Sequence, residues 1–335
     1  MGLVPQPHGG PLQHAAAEAP RRPCPHIRSP PIPWSKVQEG GRVLAQRPLV
    51  GAFGGQPGRQ LPLLPGLRAL ADWLEVLEAA CRLAHGRLTE ALRRSDAAER
   101  MGRGAGGDVS FRADIIAEQA VLEAIRASGK SCRLIMEEAG LVDLGGGPWV
   151  VVDALDGSRN AVKGLGHYAT SLALANEPRL EDVELGFVLE HLTGRTYYAI
   201  RGEGAFEGAR RLSARGSKSL QEAIIGLDLC SVSEPIYRRL EPVATGALAV
   251  RHLGSNAYEL CLVARGALDA HVDIRRRIRP LDIAAGALIV MEAGGRVGDE
   301  RGLPLTGDLN PSSRLNLIAS AEEELFQELV ALLSR

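Results

Sequence analysis

Hydrophobic residues in the first part of the chain follow a helical period and then a strand-like one. From Leu67 to Leu88 they recur every three or four positions, which predicts an amphipathic helix. The Gly-rich stretch 101–107 breaks that period, and a second helix is predicted from about Arg112 to Ser128. Mainly apolar runs then predict strands near 132–136, 149–153 and 168–175.

The rest of the chain alternates short strands with helices. The pair Thr193-Gly194 predicts a hairpin between strands at 184–190 and 195–200. Four further strands are predicted, near 223–228, 249–253, 267–273 and 315–319. Four further helices are predicted, near 234–245, near 256–265, from Asp282 to Gly294-Gly295, and at the C-terminus. This alternation predicts a layered α/β fold without an internal repeat, and we expect two subdomains, approximately 66–208 and 209–335.

Residues 1–65 differ in composition from the rest of the chain. They hold 13 of the 20 prolines, with 7 basic and 2 acidic residues, and they sustain no helical or strand period. The segment also lacks the apolar core and cleavage site of a secretory signal. It is predicted to be either a disordered extension or an upstream reading frame assigned in error. The folded domain is therefore assigned to 66–335.

Composition narrows the functional classes. A net charge of −1 gives no general case for nucleic-acid binding. The sequence contains no run of 18 apolar residues, so no membrane span is predicted. The five cysteines match no zinc spacing, and their odd number argues against a disulfide framework. We expect a cytoplasmic protein with a small-molecule ligand, and with neither nucleic acid nor membrane as a partner.

Two carboxylates follow the most apolar predicted strand. The run Trp149–Val152 leads into Asp153 and Asp156, which are followed by a glycine and a serine. Acids at the end of a buried strand occupy the usual position for chemistry in α/β folds. The turn can fold both carboxylates and the Leu155 carbonyl around one point, and such oxygen ligands suit Mg²⁺. An ordinary Asp-Gly turn is the alternative.

Three other acidic positions lie at the edges of apolar elements. Glu137-Glu138 follow the run 132–136, Asp282 opens a helix of small residues, and Asp114 lies at the start of the second helix. Each alone could be a helix cap or a solvated end, and Asp114 in particular could be a simple N-cap. Together with the Asp153–Asp156 segment, these three positions fit a carboxylate site for more than one metal ion.

These motifs resemble the signatures of the inositol monophosphatase superfamily, a group of metal-dependent, lithium-sensitive phosphatases. The segment 153–158 resembles its Asp-Pro-x-Asp-Gly-(Thr/Ser) signature, and Met136-Glu137-Glu138 resembles its (Gly/Ser)-Glu-Glu motif. The segment 281–286 resembles Trp-Asp-x-Ala-Ala-Gly, and 110–114 resembles the Thr-x-x-Asp motif. The resemblance runs from about residue 67 to the C-terminus. It is closest to archaeal-type members that hydrolyse inositol phosphate and fructose 1,6-bisphosphate, which carry stretches similar to 160–164, 202–206 and 254–260.

The departures from the family pattern remove no predicted ligand. Ala154 replaces the signature proline, Leu281 replaces the tryptophan, and Ser158 and Ser110 replace threonines. Both serines keep a hydroxyl group. The chain is therefore predicted to be an active enzyme.

The resemblance implies a layered α-β-α-β-α fold and assigns metal ligands. Glu137, Asp153 and the Leu155 carbonyl would bind one cation, and Asp153, Asp156 and Asp282 a second. Glu137 would also bind a third, weaker Mg²⁺, and Mn²⁺ could replace Mg²⁺. The role of Glu138 stays open.

The resemblance also assigns the catalytic and substrate-binding residues and implies a homodimer. Asp114 and Ser158 would orient and deprotonate the attacking water. The substrate-binding candidates are Gly157, Ser158, Arg159, Gly254, Ser255, Asn256 and Arg275. The segment 157–159 is predicted to open a helix whose free N–H groups hold phosphate. The segment 254–256 could equally cap the next helix. The arginine-rich run 275–279, which begins at Arg275 and ends at Arg279, could bind a second phosphate, with a solvated charge run as the alternative.

We therefore predict a Mg²⁺-dependent phosphatase that acts on inositol 1-phosphate and fructose 1,6-bisphosphate. A 3′-phosphoadenosine 5′-phosphate phosphatase shares the same motifs and is an alternative. A mainly regulatory binding protein of the same fold is a second one. His167, His191, His252 and His271 show no metal spacing and are predicted to be structural.

Overall fold

The structure is a computed structural model that describes residues 65–94, 96–105 and 109–334. The prediction made for the Pro-rich segment 1–65 falls outside the described residues, apart from its last position. In the described part of the chain, no helix is both long and apolar enough to cross a membrane.

Seven α-helices and fifteen strands are present in these residues. The helices are α1 Pro65–Ala91, α2 Arg112–Ala127, α3 Ser158–Val162, α4 Glu234–Gly246, α5 Asn256–Ala264, α6 Pro280–Glu292 and α7 Glu323–Leu333. The strands are β1 Arg100–Arg103, β2 Val109–Phe111, β3 Arg133–Met136, β4 Gly140–Asp143, β5 Trp149–Asp156, β6 Ala169–Ala175, β7 Val183–Glu190, β8 Thr196–Ile200, β9 Gly204–Glu207, β10 Arg210–Arg211, β11 Ile224–Leu227, β12 Ala249–Arg251, β13 Ala270–Ile278, β14 Arg296–Gly298 and β15 Leu315–Ser320.

Two larger sheets and a small hairpin are formed by these strands. The eight-stranded sheet has the order β10-β9-β8-β7-β6-β5-β3-β4, and only its β3–β5 pair is parallel. The five-stranded sheet has the order β12-β11-β13-β15-β14, with β11 parallel to both of its neighbours. Strands β1 and β2 pair with each other as an antiparallel hairpin.

Helices cover both faces of both larger sheets. Successive strand residues point to opposite sides, so apolar strands bury side chains on each face. In β5, Val150 and Val152 join the core beneath α1 and α2, whereas Val151 joins the core formed with α5 and α6. Helices α5 and α6 contact both sheets, while α4 and α7 pack on the outer face of the smaller one. The predicted α-β-α-β-α layering is therefore confirmed.

Parallel pairing brings two acidic segments to one edge of the larger sheet. Met136 at the end of β3 lies opposite Val152 in β5, so Glu137 and Asp153 follow at the same level. The prediction for β13 was wrong at both ends, since the strand runs from Ala270 to Ile278 rather than over 267–273. Its arginine-rich half lacks the apolar pattern from which a strand is predicted.

Candidate active site

Four of the predicted carboxylates lie together at the end of β5. Asp153 and Asp156 flank an irregularity in the pairing of β5 with β6, and Asp282 lies in the first turn of α6. The side chains of these three residues are at most one-tenth exposed. Glu137 joins them from the turn after β3, which explains why acidic residues so distant in sequence form one cluster.

Burial and mutual repulsion favour the protonated forms of Glu137, Asp153 and Asp156. Burial raises the pKa of Asp153 well above its ordinary value, and the charges of Glu137, Asp156 and Asp282 raise it further. Burial likewise raises the pKa of Glu137 to about 8 and that of Asp156 to about 7. A cation placed among them would relieve both effects.

The donor set fits a hard divalent cation. Oδ1 of Asp153 is buried and has no hydrogen-bond partner among the described residues. An unpaired buried carboxylate oxygen is costly, and coordination to a cation would satisfy it. All the other predicted ligands in the cluster are also oxygens, which Mg²⁺ prefers. Leu155 lies between the two aspartates, with its side chain in the core beneath α1 and α2.

Arg279 was predicted only as a member of the arginine-rich run 275–279, and its contact with the acidic cluster was not predicted. Its guanidinium donates a hydrogen bond to Glu137 and pairs with Asp282 at 2.9 Å, so it bridges two of the predicted ligands. Burial disfavours the charge, but the flanking carboxylates raise the pKa of Arg279 above its ordinary range. The residue therefore supplies a fixed positive charge that partly neutralises the cluster.

Asp114 and Ser158, the predicted catalytic pair, are brought into contact. Asp114 lies in the first turn of α2, where it accepts a hydrogen bond from the Phe111 amide at 2.6 Å, and the Ser158 hydroxyl is near enough to its carboxylate to lower the pKa of Asp114. Asp114 can therefore cap α2 and contact Ser158 at the same time. Burial raises the pKa of Asp114 to about 7, and the nearby charge of Glu138 contributes.

Glu138 and Glu118 shape the turn that carries Glu137. Glu138 accepts a hydrogen bond from the Ser110 hydroxyl at 2.5 Å, which ties this turn to β2. Glu118, buried on α2, accepts hydrogen bonds from the amides of Glu138 and Ala139, both at 2.8 Å. The sequence analysis missed Glu118, because an acid on an amphipathic helix usually faces solvent.

The segment 157–159 forms a sharp turn into α3. Gly157 has φ +81° and precedes the first helical residue, Ser158. A Cβ atom on Gly157 would lie 2.8 Å from the His167 carbonyl oxygen and 3.2 Å from that of Gly254. Only glycine fits this position, since both the conformation and the space exclude a side chain. Arg159, one residue into the helix, is exposed.

The predicted segment 254–256 lies against the acidic cluster. The Ser255 hydroxyl and the Ala257 amide each donate a hydrogen bond of 2.7 Å to Oδ2 of Asp156. Oδ1 of Asn256 accepts a hydrogen bond of 2.9 Å from Nε2 of His271. The segment therefore both opens α5, as the capping interpretation had it, and contacts a predicted metal ligand.

Arg275 is engaged by protein carboxylates. Its guanidinium pairs with Asp273 at 2.6 Å and with Asp228 at 2.5 Å, and its side chain is largely buried. A solvated charge run does not describe this residue. Its role in binding a second phosphate stays a prediction.

This fold and the family to which the chain belongs define a metal-dependent phosphoric monoester hydrolase. A sequence profile described as the inositol monophosphatase family matches residues 70–335. The chain belongs to this family, which generally depends on metal ions, typically Mg²⁺. The resemblance found in the sequence is thereby confirmed.

Individual relatives agree with this assignment. The chain is 35% identical over 246 residues to a fructose-1,6-bisphosphatase/inositol-1-monophosphatase of Methanothermobacter thermautotrophicus, covering 70% of this chain and 87% of the relative. It is 34% identical to a bifunctional NADP phosphatase/NAD kinase of Methanococcus maripaludis, over 68% of this chain and 43% of that longer protein. A crystal structure of an inositol monophosphatase–fructose 1,6-bisphosphatase superposes with a TM-score of 0.70 at 28% identity, covering 78% of this chain and 99% of the other.

Proposed function

We propose that the chain hydrolyses phosphate monoesters of sugars and polyols, above all inositol 1-phosphate and fructose 1,6-bisphosphate. The observation that carries the proposal is the contact between Asp114 and Ser158 beside the buried acidic cluster. The proposed general base is Asp114. The acidic cluster and the start of α3 lie beside it. The names of the relatives support this substrate class.

The proposed cofactor is Mg²⁺, in two or three ions, with Mn²⁺ as a possible replacement. Glu137, Asp153 and the Leu155 carbonyl would hold one ion, and Asp153, Asp156 and Asp282 another. Bound divalent ions neutralise phosphate charge and make water more acidic. Asp153 is the proposed shared ligand, consistent with its unpaired buried oxygen.

The remaining residues would position and deprotonate the reactants. The Asp114 carboxylate takes a proton from the water, which the Ser158 hydroxyl helps to orient. The free amides at 157–159, together with Arg159, hold the transferred phosphate. The segment 254–256, fixed through Asp156, contacts the leaving alcohol. We further expect a homodimer, inhibition by Li⁺ and a cytoplasmic location.

A substrate panel with Mg²⁺ tests the proposal. Inorganic phosphate release is measured on inositol 1-phosphate, fructose 1,6-bisphosphate, 3′-phosphoadenosine 5′-phosphate and NADP. NADP is included because of the bifunctional relative, and its 2′-phosphate is a monoester. The expected result is the highest kcat/KM for the first two substrates and no release after chelation of Mg²⁺. A higher kcat/KM for either nucleotide would assign the chain to nucleotide phosphates instead.

A further inference from the structure

Three metal-ligating side chains of different kinds meet at the ends of two neighbouring parallel strands. Asp228 follows β11 and His252 follows β12, while Cys230 lies in the loop beyond Asp228. One ligand atom from each of the three lies within 4.8 Å of the other two. Nε2 of His252 is 3.0 Å from Oδ1 of Asp228.

Neighbouring groups hold the Asp228 carboxylate in one orientation. Arg275 pairs with Oδ2 of Asp228 at 2.5 Å and donates a hydrogen bond of 2.9 Å to the Cys230 carbonyl. The Cys230 amide donates to Oδ1 of Asp228 at 3.0 Å. Such supporting contacts around a ligand orient it for metal binding. Asp228 is buried, whereas Cys230 and His252 are exposed, so a cation can reach the group from solvent.

We propose that Asp228, Cys230 and His252 form a second metal site, which binds Zn²⁺ or a similar borderline divalent cation. A sulfur, a nitrogen and an oxygen ligand suit Zn²⁺, which commonly takes three protein ligands and a water in tetrahedral geometry. Mg²⁺ instead prefers oxygen ligands alone. The donor set therefore separates this site from the acidic cluster.

This proposal departs from the sequence prediction for these residues. His252 was predicted to be structural and the cysteines to have no zinc spacing. The ligands come from the ends of two strands, and the pairing of β11 with β12 brings them together. A bound ion would also fix His252, two residues before Gly254 and the segment that contacts Asp156.

Titration with Co²⁺ tests the site independently of phosphatase activity. Full-length protein is saturated with Mg²⁺ and then titrated with Co²⁺, which absorbs in the near ultraviolet when it is bound by a thiolate. We expect one equivalent of thiolate-bound Co²⁺ that Zn²⁺ displaces. Cys230→Ser should abolish the thiolate band, and His252→Gln should weaken Co²⁺ binding by at least the roughly 10–100-fold that loss of an outer-shell partner costs.

Cys24→Ser is the matched control, because Cys24 lies outside the described residues and the other three cysteines are buried. This variant should keep the full band. Circular dichroism checks that each variant remains folded, which is expected because Cys230 and His252 are exposed. Wild-type protein without a thiolate band, or a band that survives in Cys230→Ser, would overturn the proposal.

Discussion

At the scale of single residues, Asp153 carries the largest conflict between burial and charge. Its side chain is almost completely buried, three other carboxylates raise its pKa, and one of its oxygens has no hydrogen-bond partner. Burying such a carboxylate costs folding free energy rather than stabilising the hydrophobic core. The proposed cation would account for its presence, because such a cation needs a full negative charge in this position.

Replacing Asp153 with asparagine should separate activity from stability. Asparagine keeps the shape but removes the charge, so we expect kcat/KM to fall by about 10³-fold or more. Thermal stability without metal should be unchanged or higher, because the repulsion with Glu137 and Asp282 is removed. Phosphate release and thermal unfolding measure the two effects. Asp72→Asn, on the exposed face of α1, is the matched control and should change neither.

The contact between Asp114 and Ser158 can be tested with a double-mutant cycle. Asp114→Asn should lower kcat by about 10²–10⁴-fold, the range for a lost general base. Ser158→Ala should also lower kcat, and the double variant should be little slower than Asp114→Asn alone, because groups that act as a unit are not additive. Fully additive losses would show that the two residues act independently.

At the scale of elements, a buried hydrogen-bond chain links α1 to the strand that carries the aspartates. The Thr170 hydroxyl donates to the Ala154 carbonyl at 2.8 Å and lies 2.9 Å from Nε2 of His191. Because the hydroxyl proton is used on Ala154, Nε2 of His191 must be the donor to Thr170. Nδ1 of His191 then accepts from Nδ1 of His85, 3.0 Å away on α1.

This hydrogen-bond chain predicts a loss of stability in acid to which His191 makes a separable contribution. Burial, and then the neighbouring His85, lowers the pKa of His191 to about 3, whereas in the unfolded chain it is about 6.5. Below pH 6.5 only the unfolded state takes up this proton, so stability falls as the pH drops toward 3. The loss approaches about 1.4 kcal/mol per pH unit.

Urea unfolding of wild-type protein and His191→Gln at pH 7, 6 and 5 isolates this contribution. Glutamine can still donate to Thr170 but does not titrate. The free energy of unfolding of the wild type should therefore approach that of the variant as the pH falls. The carboxylates affect both proteins equally and cancel in the difference. A difference that stays constant from pH 7 to 5 would exclude His191 as the titrating group.

The long elements could be predicted from sequence, whereas several of the short strands could not. Helix α1 has 27 residues and a sustained apolar period, whereas β4 has four residues that alternate between half-buried and exposed positions. The strands β1, β2, β4, β9, β10 and β14 were all missed, and each has two to four residues. Periodicity needs several repeats, so a strand of this length gives a signal only where its residues are mostly apolar, as in β3 and β11.

The same limit applies to the site. The carboxylates stand out because each interrupts an apolar run, but the partners that orient them come from distant positions. Arg279 meets Glu137 across 142 residues, and Ser255 meets Asp156 across 99. Only the folded sheets and α6 bring these pairs together. A single sequence could therefore predict the acidic cluster but not the groups that hold its members in place.

At the scale of the whole molecule, the folded domain should be independent of the Pro-rich segment. Removing residues 1–64 leaves α1 intact from Pro65 onward. We expect kcat/KM and the melting temperature to be nearly unchanged, because the segment contains no core pattern and no predicted ligand. Comparison of full-length and truncated protein in the same buffer tests this. A clear drop in melting temperature would show that the segment packs on the domain.

The close packing of β7 against α6 can be tested by substituting one glycine. Gly186 in β7 faces α6, and a Cβ atom there would lie 2.8 Å from both Cα and the carbonyl oxygen of Ala285. Backbone cannot move aside as a side chain can, so Gly186→Ala should destabilise the protein by about 1–3 kcal/mol. Because α6 also carries Asp282, a displaced helix should raise the Mg²⁺ concentration needed for half-maximal activity.

Gly86→Ala is the matched control. Gly86 lies within α1 on its exposed face, with nothing within 4 Å of the added Cβ. That change should stabilise the protein by about 0.5–1 kcal/mol and leave Mg²⁺ dependence alone. Urea unfolding and Mg²⁺ titration of both variants provide the measurements. If Gly186→Ala were as stable as wild type, the sheet and α6 would not be packed backbone to backbone.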